Sequence, residues 1–244
     1  MTIPHKLTKL QERIRALTAG IAPLTISRPD IRSDILVNPH GGLFSFTGPA
    51  GNIIDLDLDA ACKLHYPGGL NSAQIAMFNA LASKEYRFIT ACVGRRVGKT
   101  TVANLALHLV SLMPGKGLLI IAPNLNLADI SWTIQTGYMR KYDVEVVRMN
   151  SADKTIELSN GSFIKVGSSN RPDSCVGRSY DLILYDEAGI AEELATGFNV
   201  ALRPTLDKPN SKCIFISTPR GLNDFHAFYQ RGFSTDPRVS KGCS

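Results

Sequence analysis

Three short stretches of the chain hold residue types that can act on a phosphate ester. Gly94-Arg95-Arg96-Val97-Gly98-Lys99-Thr100-Thr101 sets glycines, a lysine and two hydroxyls in one run. Backbone N–H groups of such a loop, with the first turn of a following helix, cradle the β- and γ-phosphates of a nucleotide. Lys99 supplies a point positive charge, and the Thr100 hydroxyl is spaced to ligate Mg2+. Three residues separate Gly94 from Gly98, one fewer than the common pattern, and Val93 holds the expected glycine position. The second stretch, Leu182-Ile183-Leu184-Tyr185-Asp186-Glu187, is an apolar run ending in two carboxylates. Asp186 would hold the magnesium, directly or through water, while Glu187 would orient and deprotonate an attacking water. In the third, the apolar run Cys213–Ser217 ends in Ser217-Thr218-Pro219. Hydroxyls at that tip could sense the γ-phosphate and pass its loss to neighbouring loops.

These groups need strands and helices to hold them, and the surrounding sequence supplies both. Phe88–Val93 is a short apolar strand directly before the loop. Behind the loop, Val102, Leu105, Ala106, Leu109 and Met113 share one face of a helix spanning Lys99–Met113. Strand-loop-Lys-Thr-helix is the context that makes a glycine-lysine pair a phosphate loop. The alternation continues with a strand at 118–122, a helix over 128–140, and strands at 144–149, 155–158 and 163–166. Then come a strand at 181–185, a helix over 191–202, a strand at 212–217 and a last helix over 223–232. Apolar strands between helices predict an α/β fold with a mostly parallel sheet covered by helices on both faces. In such a sheet the ligand sits at the carboxyl ends of the strands, where Lys99, Asp186 and Ser217 all fall.

Upstream, Ile3, Leu7, Leu10, Ile14 and Leu17 repeat at helical spacing. Two strands, 43–47 and 54–59, flank a Gly48-Pro49-Ala50-Gly51-Asn52 turn. Alternating Asp55-Leu56-Asp57-Leu58-Asp59 fits a half-buried strand better than a calcium loop, because Ala60 stands where the loop glycine belongs. The resulting division is an appendage of helix plus β-hairpin over 1–60, a P-loop domain over 61–236, and a tail or truncated linker over 237–244.

The chain has 244 residues, 44% hydrophobic and 20% charged, ordinary for a globular protein. Its net charge of +6 is compatible with a polyanionic partner such as DNA. Five scattered cysteines without metal-ligand spacing fit a reducing compartment. No apolar run approaches eighteen residues and the N-terminus is amphipathic, so neither a membrane span nor a secretory signal is expected.

Taken together, the short arginine-bearing loop, the strand into Asp186-Glu187-Ala188, and Ser217-Thr218-Pro219-Arg220-Gly221-Leu222-Asn223-Asp224-Phe225 resemble the N-terminal ATPase domain of the large terminase subunit of tailed bacteriophages. The resemblance covers about residues 66–232. It implies a RecA-like ATPase of the ASCE P-loop class that drives double-stranded DNA into a viral procapsid with ATP and Mg2+. It further implies a portal protein, a small terminase subunit and a homo-oligomeric ring as partners. The place of work would be the bacterial host cytoplasm, with transient residence on the procapsid. Arg95 matches the loop arginine at the γ-phosphate, and Ser217, Thr218 and Pro219 match the coupling motif.

Gln74 resembles a glutamine that reads adenine, yet Asn71 and Gln74 also form a capping-box pattern ahead of a helix. An arginine acting on a neighbouring subunit's ATP is implied too. Val176 stands at the family's usual position, leaving Arg178, Arg171 and Arg203 as alternatives. Such subunits usually carry a nuclease domain, and no second cluster of acids follows here, so nuclease activity is not expected in this chain. The rival readings are a superfamily 2 helicase or translocase, a non-catalytic DNA- or portal-binding module, and a small-molecule kinase. The helicase would need a second RecA-like domain in the same chain.

Overall fold

The computed structural model describes residues 36–233. The expected helix at the N-terminus and the tail from 237 lie outside the described residues. Two strands, β1 (Ser45–Thr47) and β2 (Ile53–Asp55), pair antiparallel as a hairpin. Helices α1 (Leu58–His65) and α2 (Ser72–Ala82) lead to β3 (Phe88–Cys92) and α3 (Lys99–Ser111). After these come β4 (Gly117–Ala122), α4 (Leu125–Lys141), β5 (Val146–Asn150), β6 (Thr155–Leu158), β7 (Phe163–Ser168) and β8 (Leu182–Asp186). A short α5 (Leu194–Gly197), β9 (Lys212–Ser217) and α6 (Asp224–Arg231) complete the described chain.

Seven strands form one sheet in the order β3-β9-β8-β4-β7-β6-β5. The pairs from β3 through β7 are parallel, and β6 and β5 extend the far edge antiparallel. Residue alternation in the central strands explains why the sheet is buried on both sides. Leu118, Ile120, Leu182, Leu184, Ile214 and Ile216 enter one hydrophobic cluster with α2, α3 and α4. The intervening Leu119, Ile121, Ile183, Tyr185, Cys213 and Phe215 enter a second cluster with Leu194, Phe198, Leu202, Leu206 and Phe225. Strands buried on two faces read as unbroken apolar runs, as these do in the sequence.

Two expectations are corrected. The strand drawn to Asp59 ends at Asp55, and Leu58 opens α1. Asp57 accepts the Ala60 N–H at 2.9 Å and so starts a helix, while Leu56 and Leu58 both still bury in the core. A five-residue alternation is met equally by a strand and by a turn running into a helix. The boundary drawn at residue 60 therefore falls inside α1, and Leu43 and Phe44 of the hairpin segment share the main core. The second correction concerns 191–202, which is not one α-helix. It runs as α5, a π-helical turn over Phe198–Leu202 and a 3-10 turn over Arg203–Thr205. Leu194, Phe198, Leu202 and Leu206 recur every four residues, and a uniform α-helix would rotate each about 40° off the last. The wider turn takes up that excess before Pro204 ends the run.

Candidate phosphate-binding site

β9 lies between β3 and β8, and its register decides what meets at the carboxyl end of the sheet. Cys92 pairs with Ser217 and Asp186 with Ile216, so the loop leaving β3, the Ser217 tip and the two carboxylates are neighbours. The Val93 N–H donates to the Ser217 carbonyl at 3.0 Å, extending the ladder to the start of the loop. Gly98 has φ +80, the left-handed backbone a glycine adopts without strain, and α3 begins at the next residue. No side chain caps the start of α3. Its first-turn N–H groups and the positive end of its dipole are thus left to an anion, as a phosphate requires.

Four of these side chains meet at the strand end. Lys99 Nζ lies 2.8 Å from Glu187 Oε1, and Thr100 Oγ1 donates to Asp186 Oδ1 at 3.2 Å. Ser217, fully buried, places its Oγ 3.4 Å from Glu187 Oε2. Burial pushes the Asp186 carboxyl up to about 6, against the lowering effect of the Thr100 hydroxyl; the charge of Glu187 raises it further. A carboxylate that is costly to ionise without a cation, beside a threonine hydroxyl, is a suitable oxygen donor pair for Mg2+, which takes few protein ligands and keeps several waters. Thr218 is buried, whereas Arg95 and Arg96 are exposed on the loop with Arg96 at φ +63. Thr101 is exposed on the first turn of α3.

Gln74 is brought under the loop. Its Oε1 accepts the Asn71 N–H and its Nε2 donates to the Val97 carbonyl, both at 3.0 Å, while Asn71 Oδ1 accepts the Gln74 N–H. A β-carbon at Gly98 would stand 2.8 Å from Gln74 Nε2. The capping box is therefore present, and the rest of its amide is engaged with the loop.

The three arginines are not brought together. Arg178 stacks over Phe163 at 4.8 Å and pairs with Glu157 at 3.7 Å. Arg203 lies over Phe88 at 5.5 Å. Phe163 and Phe88 open their strands, so both arginines sit at the amino end of the sheet, away from the loop. Arg171 follows the carboxyl end of β7, its N–H donating to the Ser168 carbonyl, and is exposed.

Sequence reasoning missed two sets of polar residues. Asn104, Ser131 and Gln135 are fully buried between α3 and α4. Asn104 Nδ2 reaches the Thr100 carbonyl at 2.9 Å and Ser131 Oγ at 3.0 Å. Asn223 caps α6, and its Nδ2 also donates to the Gly189 carbonyl at 2.8 Å. The asparagine before a helix was a visible signal for the cap, but nothing in the sequence announces the second contact.

Residues 91–241 match the family model described as terminase large subunit, T4likevirus-type, N-terminal. The chain is 52% identical over 163 residues to the large terminase subunit of Escherichia phage T5, covering 67% of this chain and 37% of that one. It thus spans about a third of the length of that curated relative. A mutant of the large terminase ATPase domain of Thermus phage P74-26 superposes with a TM-score of 0.58 at 24% identity, covering 70% of this chain and 76% of that one. A large terminase from a thermophilic bacteriophage, solved with ADP, gives 0.51 at 13% identity over 62% of this chain and 39% of that one. The RecA-like arrangement of these structures is the fold found here.

Proposed function

The chain belongs to the terminase large-subunit family, within its N-terminal region, and from that premise we propose that it is a magnesium-dependent ATPase powering the packaging of double-stranded viral DNA. The observation that carries the reading is the meeting of Lys99, Thr100, Asp186 and Glu187 at one strand end beside an uncapped helix N-terminus. The ADP complex of the thermophilic phage terminase supports a nucleotide as the ligand.

Loop N–H groups and Lys99 bind and neutralise the phosphate oxygens, and Arg95 adds charge at the γ-phosphate. Thr100 and Asp186 would hold Mg2+, which would supply further charge neutralisation there. Lys99 is the partner of Glu187 in this structure; once its ammonium turns to phosphate, Glu187 is free to orient a water and accept its proton. Ser217, in reach of Glu187 and followed by Thr218 and Pro219, passes loss of the γ-phosphate to the β9–α6 loop. Gln74 holds the loop from below.

Arg171 is the arginine we assign to a neighbouring subunit's nucleotide, since it alone of the three lies toward the phosphate-loop end. The partners that follow from the family are a homo-oligomeric ring on the portal protein of a procapsid, a small terminase subunit and DNA, all in the bacterial host cytoplasm.

The test is ATP hydrolysis by the purified chain with Mg2+, with and without double-stranded DNA, beside Lys99→Ala. Hydrolysis abolished by the substitution supports the reading. A wild-type chain that neither binds nor hydrolyses ATP refutes it.

A further inference from the structure

Glu187 has φ +48 and ψ +38, a left-handed backbone that residues with a β-carbon rarely adopt. Such a conformation persists only where its surroundings over-determine it. The carboxylate that the mechanism needs thus stands on a turn that must be held from outside. Two restraints are local: the Glu187 N–H donates to Asp186 Oδ1, and the Ile190 N–H donates to the Glu187 carbonyl, both at 2.9 Å. Another is close packing, since a β-carbon at Gly189 would stand 2.7 Å from Ser217 Oγ. A further one comes from the residue that caps α6. Asn223 Nδ2 donates to the Gly189 carbonyl at 2.8 Å, two residues beyond Glu187.

The chemistry of that contact explains the residue type. As a cap, Asn223 Oδ1 accepts the His226 N–H at 3.1 Å, a task aspartate or serine performs as well. Only asparagine among good caps also presents an amide N–H with reach. One side chain thus joins the helix start to the turn that carries Glu187. The frame is firm: Phe225 is buried in the core under the sheet, and Asp224 Oδ2 accepts the Ala195 N–H at 2.9 Å, fastening the same strip further along.

We propose that Asn223 is a positioning residue for hydrolysis, holding the left-handed turn at Glu187 so that the carboxylate faces Lys99 and the attacking water. The proposal rests on the reading of Glu187 as the group that activates water. It separates two roles of one side chain. Asn223→Asp and Asn223→Ser keep the cap, but neither keeps an amide N–H on the Gly189 carbonyl. Asn223→Ala loses both.

The experiment is steady-state ATP hydrolysis by the full chain as wild type, Asn223→Asp, Asn223→Ser and Glu187→Gln, with melting temperatures and amide hydrogen exchange of the same proteins. For the Asp and Ser variants the expected result is kcat falling roughly 10- to 100-fold, with KM for ATP and the melting temperature little changed. Exchange should rise at 188–191 while α6 stays protected. Wild-type kcat or wild-type exchange at 188–191 in both variants, beside an inactive Glu187→Gln, overturns the positioning role alone. A lowered melting temperature or a matching rise in KM makes Asn223 merely structural and also overturns it. Hydrolysis surviving in Glu187→Gln instead removes the reading of Glu187 on which the proposal stands.

Discussion

Replacing His108 with phenylalanine should flatten the pH dependence of stability. His108 lies in α3, wholly buried, with neither ring nitrogen hydrogen-bonded. Its ring stacks on Tyr138 at 4.8 Å and meets His65 of α1 at 5.5 Å, with Tyr142 beyond at 5.7 Å. Burial, and then the neighbouring His65, push His108 down to about 3 from 6.5. Above 6.5 it is neutral in folded and unfolded chains alike. Below 6.5 the unfolded chain takes up a proton that the folded one refuses until about 3, so stability falls as the medium is acidified. From 6.5 down to pH 5, at about 1.4 kcal/mol per pH unit, His108 removes about 2 kcal/mol.

His65, lowered to about 4 by burial and by Lys141, acts in the same direction. Asp186 opposes both: held up at about 6, it protonates first in the folded chain and adds about 1.4 kcal/mol at pH 5. The wild-type curve is therefore a mixture, and the variant isolates one contribution. Phenylalanine keeps the aromatic stack and cannot titrate. Urea unfolding at pH 7.5 and pH 5.0 should show His108→Phe losing about 2 kcal/mol less than wild type across that interval. Equal losses in the two proteins would refute the argument.

Asp186 gives a second pH effect, on activity. Its carboxyl near 6 must be ionised to hold a cation, so hydrolysis at low Mg2+ should fall as pH drops through about 6, and raising Mg2+ should move the midpoint lower. A midpoint that ignores Mg2+ concentration would count against Asp186 as the ligand. Gln74→Ala removes the Val97 tether and should weaken binding of ATP and GTP alike, by about tenfold, in a nucleotide titration. Loss confined to ATP would show that the amide reads the base instead.

The strand, the Gly94–Gly98 loop and the helix after it were legible because they are contiguous and each has its own local signal. Asp186 and Glu187 stood out because an apolar strand buried on both faces ends abruptly in charge. What could not be read is who stands beside whom. Placement of β9 between β3 and β8 depends on non-local pairing, yet it brings Ser217 to Glu187. The three arginines were equivalent as letters, and only strand direction separates Arg171 from Arg178 and Arg203. The leucine-aspartate alternation misled because burial of Leu56 and Leu58 is the same whether the backbone stays extended or turns into α1. His108 is flanked in the sequence by Leu105, Leu107, Leu109 and Leu112, so its burial was readable, but not the histidine and tyrosines around it.

The central claim is that Glu187 activates water while Lys99 and the loop hold the phosphates. It is tested most directly by measuring ATP affinity and single-turnover hydrolysis side by side for wild type and Glu187→Gln, with Mg2+ present. The account predicts affinity within about threefold of wild type and hydrolysis reduced by roughly 100-fold or more. Hydrolysis at the wild-type rate by Glu187→Gln would contradict it.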